Sequence, residues 1–120
     1  MMKPVVLVVE DEPLLRLFAT DMIEEAGFEV LQAPNASAAL MTLEERLDVR
    51  VVFTDVNMPG GMDGRELTRL LRERYGDAMV LIAVSGSDPD DERVSQTFDN
   101  VDHYFRKPVD LAALRRLLKD

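Results

Sequence analysis

Polar and charged residues follow directly on short apolar runs at several points along the chain. Two acids follow residues 4–9, one acid ends the run at 51–55, a serine follows 79–84, and a lysine comes two residues after a less apolar stretch at 101–105; these are Glu10, Asp11, Asp55, Ser85 and Lys107. Converging carboxylates bind a hard divalent cation such as Mg²⁺. A carboxylate beside a cation, a lysine and a hydroxyl can act as a nucleophile toward phosphorus. The chemistry therefore depends on whether the fold brings these residues together.

The apolar patterning predicts five strands, each followed by a helix. Strands are predicted at 4–9, 28–32, 51–55, 79–84 and 101–105, and helices at 12–26, 35–47, 63–74, 88–97 and from 110 onward. The predicted buried stripe of the first helix comprises Leu15, Phe18, Ala19, Met22 and Ala26. Strict β-α alternation requires parallel strands joined by right-handed crossovers. The sequence thus predicts one α/β domain over residues 1–120, a (βα)5 doubly wound sheet.

The carboxyl ends of all strands in such a sheet lie along one edge. In a flavodoxin-like order of 2-1-3-4-5 the first and third strands are neighbours, which would place Glu10, Asp11 and Asp55 close together. Three carboxylates at short range need compensating positive charge, which Lys107 and a Mg²⁺ ion would supply. The single histidine, His103, excludes a multi-histidine zinc site, and the absence of cysteine excludes thiolate sites and disulfides.

The overall charge and the lengths of the apolar runs limit which classes of molecule the chain can bind. With 23 acidic and 14 basic residues the formal net charge is −9, which argues against direct nucleic-acid binding. No run of 18 apolar residues and no signal-peptide pattern occurs, so membrane insertion is not expected. The sequence therefore favours a cytoplasmic protein that binds a cation and acts through contacts with other proteins.

Four motifs carry a family resemblance: VVLVVEDEP, FTDVNMPGGMDG, AVSG and YFRKP, in this order at the ends of the first, third, fourth and fifth predicted strands. With them the whole chain resembles the receiver domain of bacterial two-component response regulators, the CheY-like family. The resemblance implies phosphorelay signalling, in which a sensor histidine kinase or hybrid kinase donates a phosphoryl group in a Mg²⁺-dependent reaction. It implies a signalling domain that catalyses only its own phosphorylation and slow dephosphorylation.

The resemblance assigns roles to the acidic residues and to the loop after the third strand. Asp55 matches the phosphoacceptor. Asp11 and Asp55 match direct Mg²⁺ ligands, Glu10 matches an outer acidic position at which the family more often has Asp, and Asn57 matches the residue whose backbone carbonyl completes the metal site.

The same resemblance assigns the switch. Ser85 matches the hydroxyl residue that turns toward the phosphoryl group, Tyr104 matches an aromatic rotamer switch, and Lys107 matches the basic catalytic residue, followed by a cis bond to Pro108. Phosphorylation would then change the face formed by the fourth helix, the fifth strand and the last helix.

Two departures from the family pattern concern partners. The loop NMPGGMDG is one glycine longer than the commoner form and resembles receivers that are attached to, or partnered with, hybrid sensor kinases. Residues 98–102 lack the small pair that usually precedes the fifth strand, on a face that the family uses for dimers and outputs. The downstream partner stays unspecified, a homodimer is allowed, and the domain acts through protein contacts or belongs to a longer chain.

Two other functions compete with this interpretation. A receiver-like interaction module that is not phosphorylated would share the fold, but the intact acidic residues and Lys107 argue against it. A phosphatase of the haloacid-dehalogenase type also uses a strand-end aspartate. It requires a second aspartate two residues later, where this chain has Asn57, and 120 residues leave little room for a cap domain.

Overall fold

The computed structural model of the protein describes residues 4–58, 61–86, 99–107 and 109–119. The predicted helix at 88–97 and the bond between Lys107 and Pro108 lie outside these residues. The described elements are β1 (Val5–Val9), α1 (Pro13–Glu25), β2 (Glu29–Ala33), α2 (Ala36–Glu45), β3 (Val49–Asp55), α3 (Gly64–Tyr75), a 3-10 turn (Gly76–Ala78), β4 (Val80–Ser85), β5 (His103–Arg106) and α4 (Leu111–Lys119).

The strands form one parallel sheet in the order β2-β1-β3-β4-β5, which confirms the predicted fold class. β1 pairs with both β2 and β3, and Val9 lies opposite Thr54 at the carboxyl end of the β1–β3 pair. The residues that follow β1 therefore lie beside Asp55, the last residue of β3.

The sheet has a hydrophobic core on each face. Along β1, Val5, Leu7 and Val9 belong to the core beneath α2 and α3, whereas Val6 and Val8 belong to the core beneath α1 and α4. All five are at most 4% exposed. Burial on both faces explains why this strand is a continuous apolar run, as is typical of parallel sheets.

Side-chain caps fix the starts of α2 and α3. Asn35 accepts a hydrogen bond from the Ala38 N–H at 2.8 Å, and Asp63 accepts one from the Glu66 N–H at 3.0 Å. Such caps satisfy backbone donors that a helix cannot pair internally. The Asp63 cap sets where α3 begins, directly after the loop that follows β3.

The predicted buried stripe of α1 is wrong at two positions. Leu15 and Phe18 are 41% and 66% exposed, and the buried apolar residues are Ala19, Met22 and Ile23. The helix lies on the sheet through its central and carboxyl-terminal turns, where small Ala19 permits a close approach. The larger side chains of the first turns extend past the edge of the core.

β5 begins two residues later than predicted. Val101 and Asp102 precede the strand, because the Asp102 carboxylate accepts the Leu81 N–H at 2.8 Å, a donor that a strand would pair with a backbone carbonyl. The other strand boundaries differ from prediction by about one or two residues. Within the described parts of the chain, no helix combines the length and apolar character that crossing a membrane requires.

Candidate functional site

The sheet brings the three predicted carboxylates to one place. Glu10, Asp11 and Asp55 each offer an oxygen, and these oxygens lie within 4.8 Å of one another. Glu10 and Asp55 are 8% and 6% exposed, whereas Asp11 is half-buried at the mouth of the cluster. The cluster forms because β1 and β3 are adjacent and end at the same level. A ligand from outside would reach it on the side of Asp11.

Lys107 supplies the positive charge of the cluster. Its Nζ donates to Asp55 Oδ2 at 2.9 Å and lies 3.8 Å from Glu10 Oε2. The Lys107 N–H donates to the Ser85 carbonyl at 2.9 Å, which fixes the lysine at the end of β5. Burial disfavours its charge, but the hydrogen bond and the attraction of Asp55 outweigh burial, so the pKa of Lys107 is raised.

The charges of the cluster do not balance. Burial and the neighbouring Asp55 carboxylate raise the pKa of Glu10 to about 7, against the lowering effect of Lys107. Three carboxylates beside one ammonium group thus retain a tendency to bind a proton or a cation. Oxygen donors at this spacing, one of them half-buried, fit the hard ligands that Mg²⁺ prefers while it keeps several waters. The cluster therefore has the donor set that a Mg²⁺ site needs.

Asn57 joins the end of β3 to the end of β4. Its N–H donates to Asp55 Oδ1 at 3.3 Å, and its side-chain Nδ2 donates to Ser85 Oγ at 3.3 Å. Ser85 is fully buried on β4. The sequence singled out Asn57 for its backbone carbonyl, but the structure also gives its side chain a contact that orients the Ser85 hydroxyl.

Tyr104 lies on β5, three residues before Lys107. It is in register with Ala83 of β4, its side chain is half-buried, and its hydroxyl oxygen is shielded from solvent. β5 therefore carries Tyr104, and the residue directly after the strand, Lys107, reaches Asp55. The role of Tyr104 as a switch stays a prediction.

Sequence reasoning missed two residues that shape the site. Arg16 of α1 donates from Nη1 to the Glu10 carbonyl at 2.9 Å and so holds the loop that carries the first two acids. Gly64, the first residue of α3, lies so close to β3 that a Cβ there would overlap the Asp55 carbonyl oxygen. Both contacts are made with backbone atoms, so residue type and spacing alone did not reveal them.

The cluster opens onto an apolar groove. The groove has a volume of about 600 Å³ and runs between α1 and the segment after β5. Leu15, Phe18 and Val109 line it, and Glu10 and Lys107 lie at its polar end. The exposed side chains of Leu15 and Phe18 on α1 therefore border a groove that reaches Glu10 and Lys107.

Comparison with known proteins identifies the family. The sequence model of the response regulator receiver domain matches residues 6–119. The chain belongs to this family. A receiver protein of Pseudomonas putida has a crystal structure that superposes with a TM-score of 0.89 at 28% identity, covering 99% of this chain and 98% of that one.

Relatives of this receiver differ in length. An uncharacterized 14.6 kDa protein of Leptolyngbya boryana is 36% identical over 115 residues, which cover 95% of this chain and 86% of that protein. The sensor histidine kinase GacS of Pseudomonas protegens is 34% identical over 111 residues, but these span only 12% of its length and 88% of this chain. The same domain thus occurs in short proteins and inside long kinases.

Membership in the family carries the general function. Receiver domains are phosphorylated by histidine kinases, and they are signalling modules rather than enzymes that turn over a separate substrate. The cluster of Glu10, Asp11 and Asp55 is consistent with such a phosphoacceptor site.

Proposed function

We propose that residues 1–120 form a single receiver domain in which Asp55 accepts a phosphoryl group from a phosphohistidine of a sensor or hybrid histidine kinase. The observation that carries the proposal is the position of the Asp55 carboxylate, which is buried between a lysine ammonium group at 2.9 Å and two further carboxylates. An aspartate with only a structural role would not need a second and a third carboxylate beside it, because their repulsion costs stability.

The transfer forms one bond and breaks one. A carboxylate oxygen of Asp55 attacks the phosphorus, the P–N bond to the histidine breaks, and the imidazole nitrogen keeps the electron pair and takes a proton from solvent. The product is an acyl phosphate. Lys107 donates a hydrogen bond that offsets the negative charge of the transferring group, in the way that fixed donors lower such barriers.

Asp11 and Asp55 would hold Mg²⁺ directly, together with the Asn57 carbonyl, and Glu10 would act from the outer position. The bound ion would supply positive charge that offsets the charge of the phosphoryl oxygens. Without the ion, the negative charges of Glu10 and Asp55 are offset by the Lys107 ammonium group alone within the described part of the site. A dependence of the reaction on Mg²⁺ follows from this shortage of positive charge.

We further propose that the side chains of Ser85 and Tyr104 change position when Asp55 is phosphorylated. The Ser85 hydroxyl would give up its contact with Asn57 and donate to a phosphoryl oxygen, and Tyr104 would follow it inward. The face that includes β5, the last helix and the predicted helix at 88–97 would then change shape and bind a downstream protein or a second copy. The apolar groove beside Glu10 and Lys107 would give the kinase a surface to bind next to the carboxylate cluster. The proposal implies action in the cytoplasm, without direct contact to nucleic acid.

The experiment compares the wild-type protein with Asp55→Asn in acetyl phosphate, a small phosphodonor, with Mg²⁺ or with a chelator. We expect the wild-type protein to gain one phosphoryl group only with Mg²⁺, and the linkage to be labile to hydroxylamine, as an acyl phosphate is. Equal uptake by Asp55→Asn would contradict the proposal. Wild-type protein that neither binds Mg²⁺ at about ten millimolar nor takes up phosphate would instead be an interaction module.

A phosphatase of the haloacid-dehalogenase type predicts a different result in the same experiment. It would release phosphate from simple esters through many turnovers, whereas a receiver forms one acyl phosphate per molecule. Asn57 occupies the position where that class needs an acid, and its amide is engaged with Ser85. We expect no turnover of phosphate esters.

A further inference from the structure

The position of Lys107 depends on a short strand at the edge of the sheet. β5 has four residues and, among the described strands, pairs with β4. Its two end residues are exposed and its two middle side chains are half-buried, with Phe105 against the core beneath α1 and α4, so hydrophobic packing holds it less firmly than the fully buried central strands. At its two ends, the Asp102 N–H donates to the Leu81 carbonyl at 2.8 Å and the Lys107 N–H donates to the Ser85 carbonyl at 2.9 Å.

A charged network fixes the start of β5. Arg72 of α3 donates from Nη2 to Asp102 Oδ2 at 2.8 Å and from Nε to the Asn100 carbonyl at 3.0 Å. The same guanidinium donates from Nη1 to the carbonyls of Gly76 and Met79, at 2.8 and 3.1 Å. One side chain thus joins the end of α3, the approach to β4 and the approach to β5, a task for which the planar, five-donor guanidinium is suited.

Asp102 completes the network by fixing the register of the strand. Its Oδ2 accepts both Arg72 Nη2 and the Leu81 N–H, and its own N–H donates to the Leu81 carbonyl. Asp102 therefore bonds both the backbone N–H and the backbone carbonyl of Leu81. A slip of one residue would break this pair and move Lys107 by about 3.3 Å, the rise of one strand residue.

The helix that carries Arg72 also touches the acceptor. α3 begins at Gly64, whose N–H donates to the Val56 carbonyl at 2.9 Å and whose Cα lies against the Asp55 backbone. Eight residues later, about 12 Å along the helix, Arg72 holds the start of β5. One rigid helix therefore spans from the backbone of Asp55 to the strand that delivers Lys107.

We propose that Arg72 and Asp102 form a clamp that positions β5, and through it the Lys107 ammonium group, against Asp55. Arg72 is thus a positioning residue for phosphoryl transfer, acting through α3 and β5 without touching the acceptor. The inference rests on the proposed phosphorylation of Asp55. Asp102 belongs to the stretch before β5 in which the sequence lacks the family's small pair, and Arg72 binds this stretch through the Asp102 carboxylate and the Asn100 carbonyl.

The test compares Arg72→Met with the control Arg74→Met, which removes the same charge from an exposed position in the same last turn of α3. Amide exchange is measured at Asp102 and Lys107, with Glu10, whose N–H donates to Ala33, as the internal reference. We expect Arg72→Met to exchange at least about tenfold faster at the two amides that flank β5, those of Asp102 and Lys107, and unchanged at Glu10.

Two functional measurements accompany the exchange experiment. Because the Mg²⁺ ligands lie on β1 and β3, the Mg²⁺ dissociation constant of Arg72→Met should stay within about twofold of the wild type. Its rate of phosphorylation by acetyl phosphate should fall by about tenfold or more, since a misplaced catalytic group is costly. A purely structural arginine would lower the melting temperature and leave the phosphorylation rate of the folded protein unchanged.

The other possible results also decide whether the clamp exists. Exchange and phosphorylation equal to those of Arg74→Met would overturn the clamp, as would equal loss of protection at Glu10 and Lys107. If Arg72→Met does not fold, Asp102→Asn, which keeps an oxygen for the Leu81 N–H, is measured in its place with the same expectations. If the wild-type protein takes up no phosphate, the proposed function fails, and exchange at Lys107 alone decides whether the clamp exists.

Discussion

The Asp55 side chain is held by donors on both of its oxygens. Lys107 donates to Oδ2 at 2.9 Å, and the Asn57 N–H donates to Oδ1 at 3.3 Å. These contacts fix the direction of the carboxylate before any ligand binds. A nucleophile that is already oriented loses less entropy when it reacts, which is a recognised source of rate acceleration.

Replacing Lys107 with methionine should separate metal binding from chemistry. Phosphorylation should slow by about 100-fold, the usual effect of removing one charge-stabilising donor. Mg²⁺ should bind as tightly as before or more tightly, because a competing positive charge beside Asp55 and Glu10 is removed. Rates by intact-mass spectrometry and affinities by titration calorimetry check both, with the exposed Arg106→Met as control. Weaker Mg²⁺ binding together with an unchanged rate would contradict this account.

Glu10 should give the metal-free protein a distinctive pH dependence. Its pKa is raised from 4.5 to about 7 in the folded state, so folding favours the protonated form. The stabilisation is complete below pH 4.5 and is lost as the pH rises through about 7. In chelator, unfolding by denaturant should show a loss on the order of 1 kcal/mol over this range, after allowance for solvent screening. Glu10→Gln should lose this dependence; an unchanged slope in Glu10→Gln would refute the assignment.

The side chains of the candidate site could be predicted from sequence because strand ends converge in a parallel sheet. Glu10, Asp11, Asp55 and Lys107 each lie at or just after the end of a predicted strand, and the sheet order brings them together. Arg16 could not be recognised in this way. It bonds a backbone carbonyl, and a surface arginine on a helix has the same sequence pattern.

At the scale of elements, α3 sets the position of the acceptor through Gly64. A Cβ at this residue would overlap the Asp55 carbonyl oxygen and approach the Val56 Cα to 2.8 Å. Neither neighbour is a flexible side chain, so the helix or the strand end must move. The close contact explains the glycine at a helix start where backbone conformation alone does not demand one.

Gly64→Ala should therefore destabilise the protein and weaken the site together. Overpacking of this kind costs about 1–3 kcal/mol, measured by denaturant unfolding. The affinity for Mg²⁺ should fall as the Asp55 backbone shifts. Gly86→Ala is the matched control, because a Cβ at Gly86 meets no atom within 4 Å. An effect of Gly86→Ala equal to that of Gly64→Ala would show that the close approach to Asp55 is not the cause.

Two element-level predictions were wrong for physical reasons that sequence patterns do not contain. The start of α1 has apolar residues at helical spacing, but its first turns extend past the core, so Leu15 and Phe18 border the groove. β5 begins late because the Asp102 carboxylate accepts the Leu81 N–H and also binds Arg72, which is 30 residues away in the sequence. Both outcomes depend on tertiary contacts that override local preference.

At the scale of the whole molecule, we expect the net charge of −9 and the buried acidic cluster to make the protein's stability depend on Mg²⁺. A ligand that binds only the folded state stabilises it by about 1.4 kcal/mol at ten times its dissociation constant. The melting temperature should therefore rise with Mg²⁺ concentration. Asp11→Asn should abolish the rise, whereas Asp48→Asn, which alters an acid paired with Arg46 away from the site, should retain it. An equal rise in both variants would mean that Mg²⁺ binds elsewhere.

The architecture follows from alternation of strand and helix and was predictable as a whole, since parallel strands with right-handed crossovers admit few arrangements. Alternation does not determine the side-chain contacts between elements that are distant in sequence. The ion pair of Arg72 with Asp102 before β5 is one such contact.

The central claim, that Asp55 is the phosphoacceptor, is tested most directly by locating the modification. The protein is treated with acetyl phosphate and Mg²⁺, reduced with borohydride, which converts an aspartyl phosphate to homoserine, and mapped by peptide mass spectrometry. We predict homoserine at residue 55, none without Mg²⁺, and none at the exposed Asp48 or Asp110. Homoserine at another aspartate with residue 55 unchanged, or no homoserine in folded, Mg²⁺-bound protein, would contradict the account.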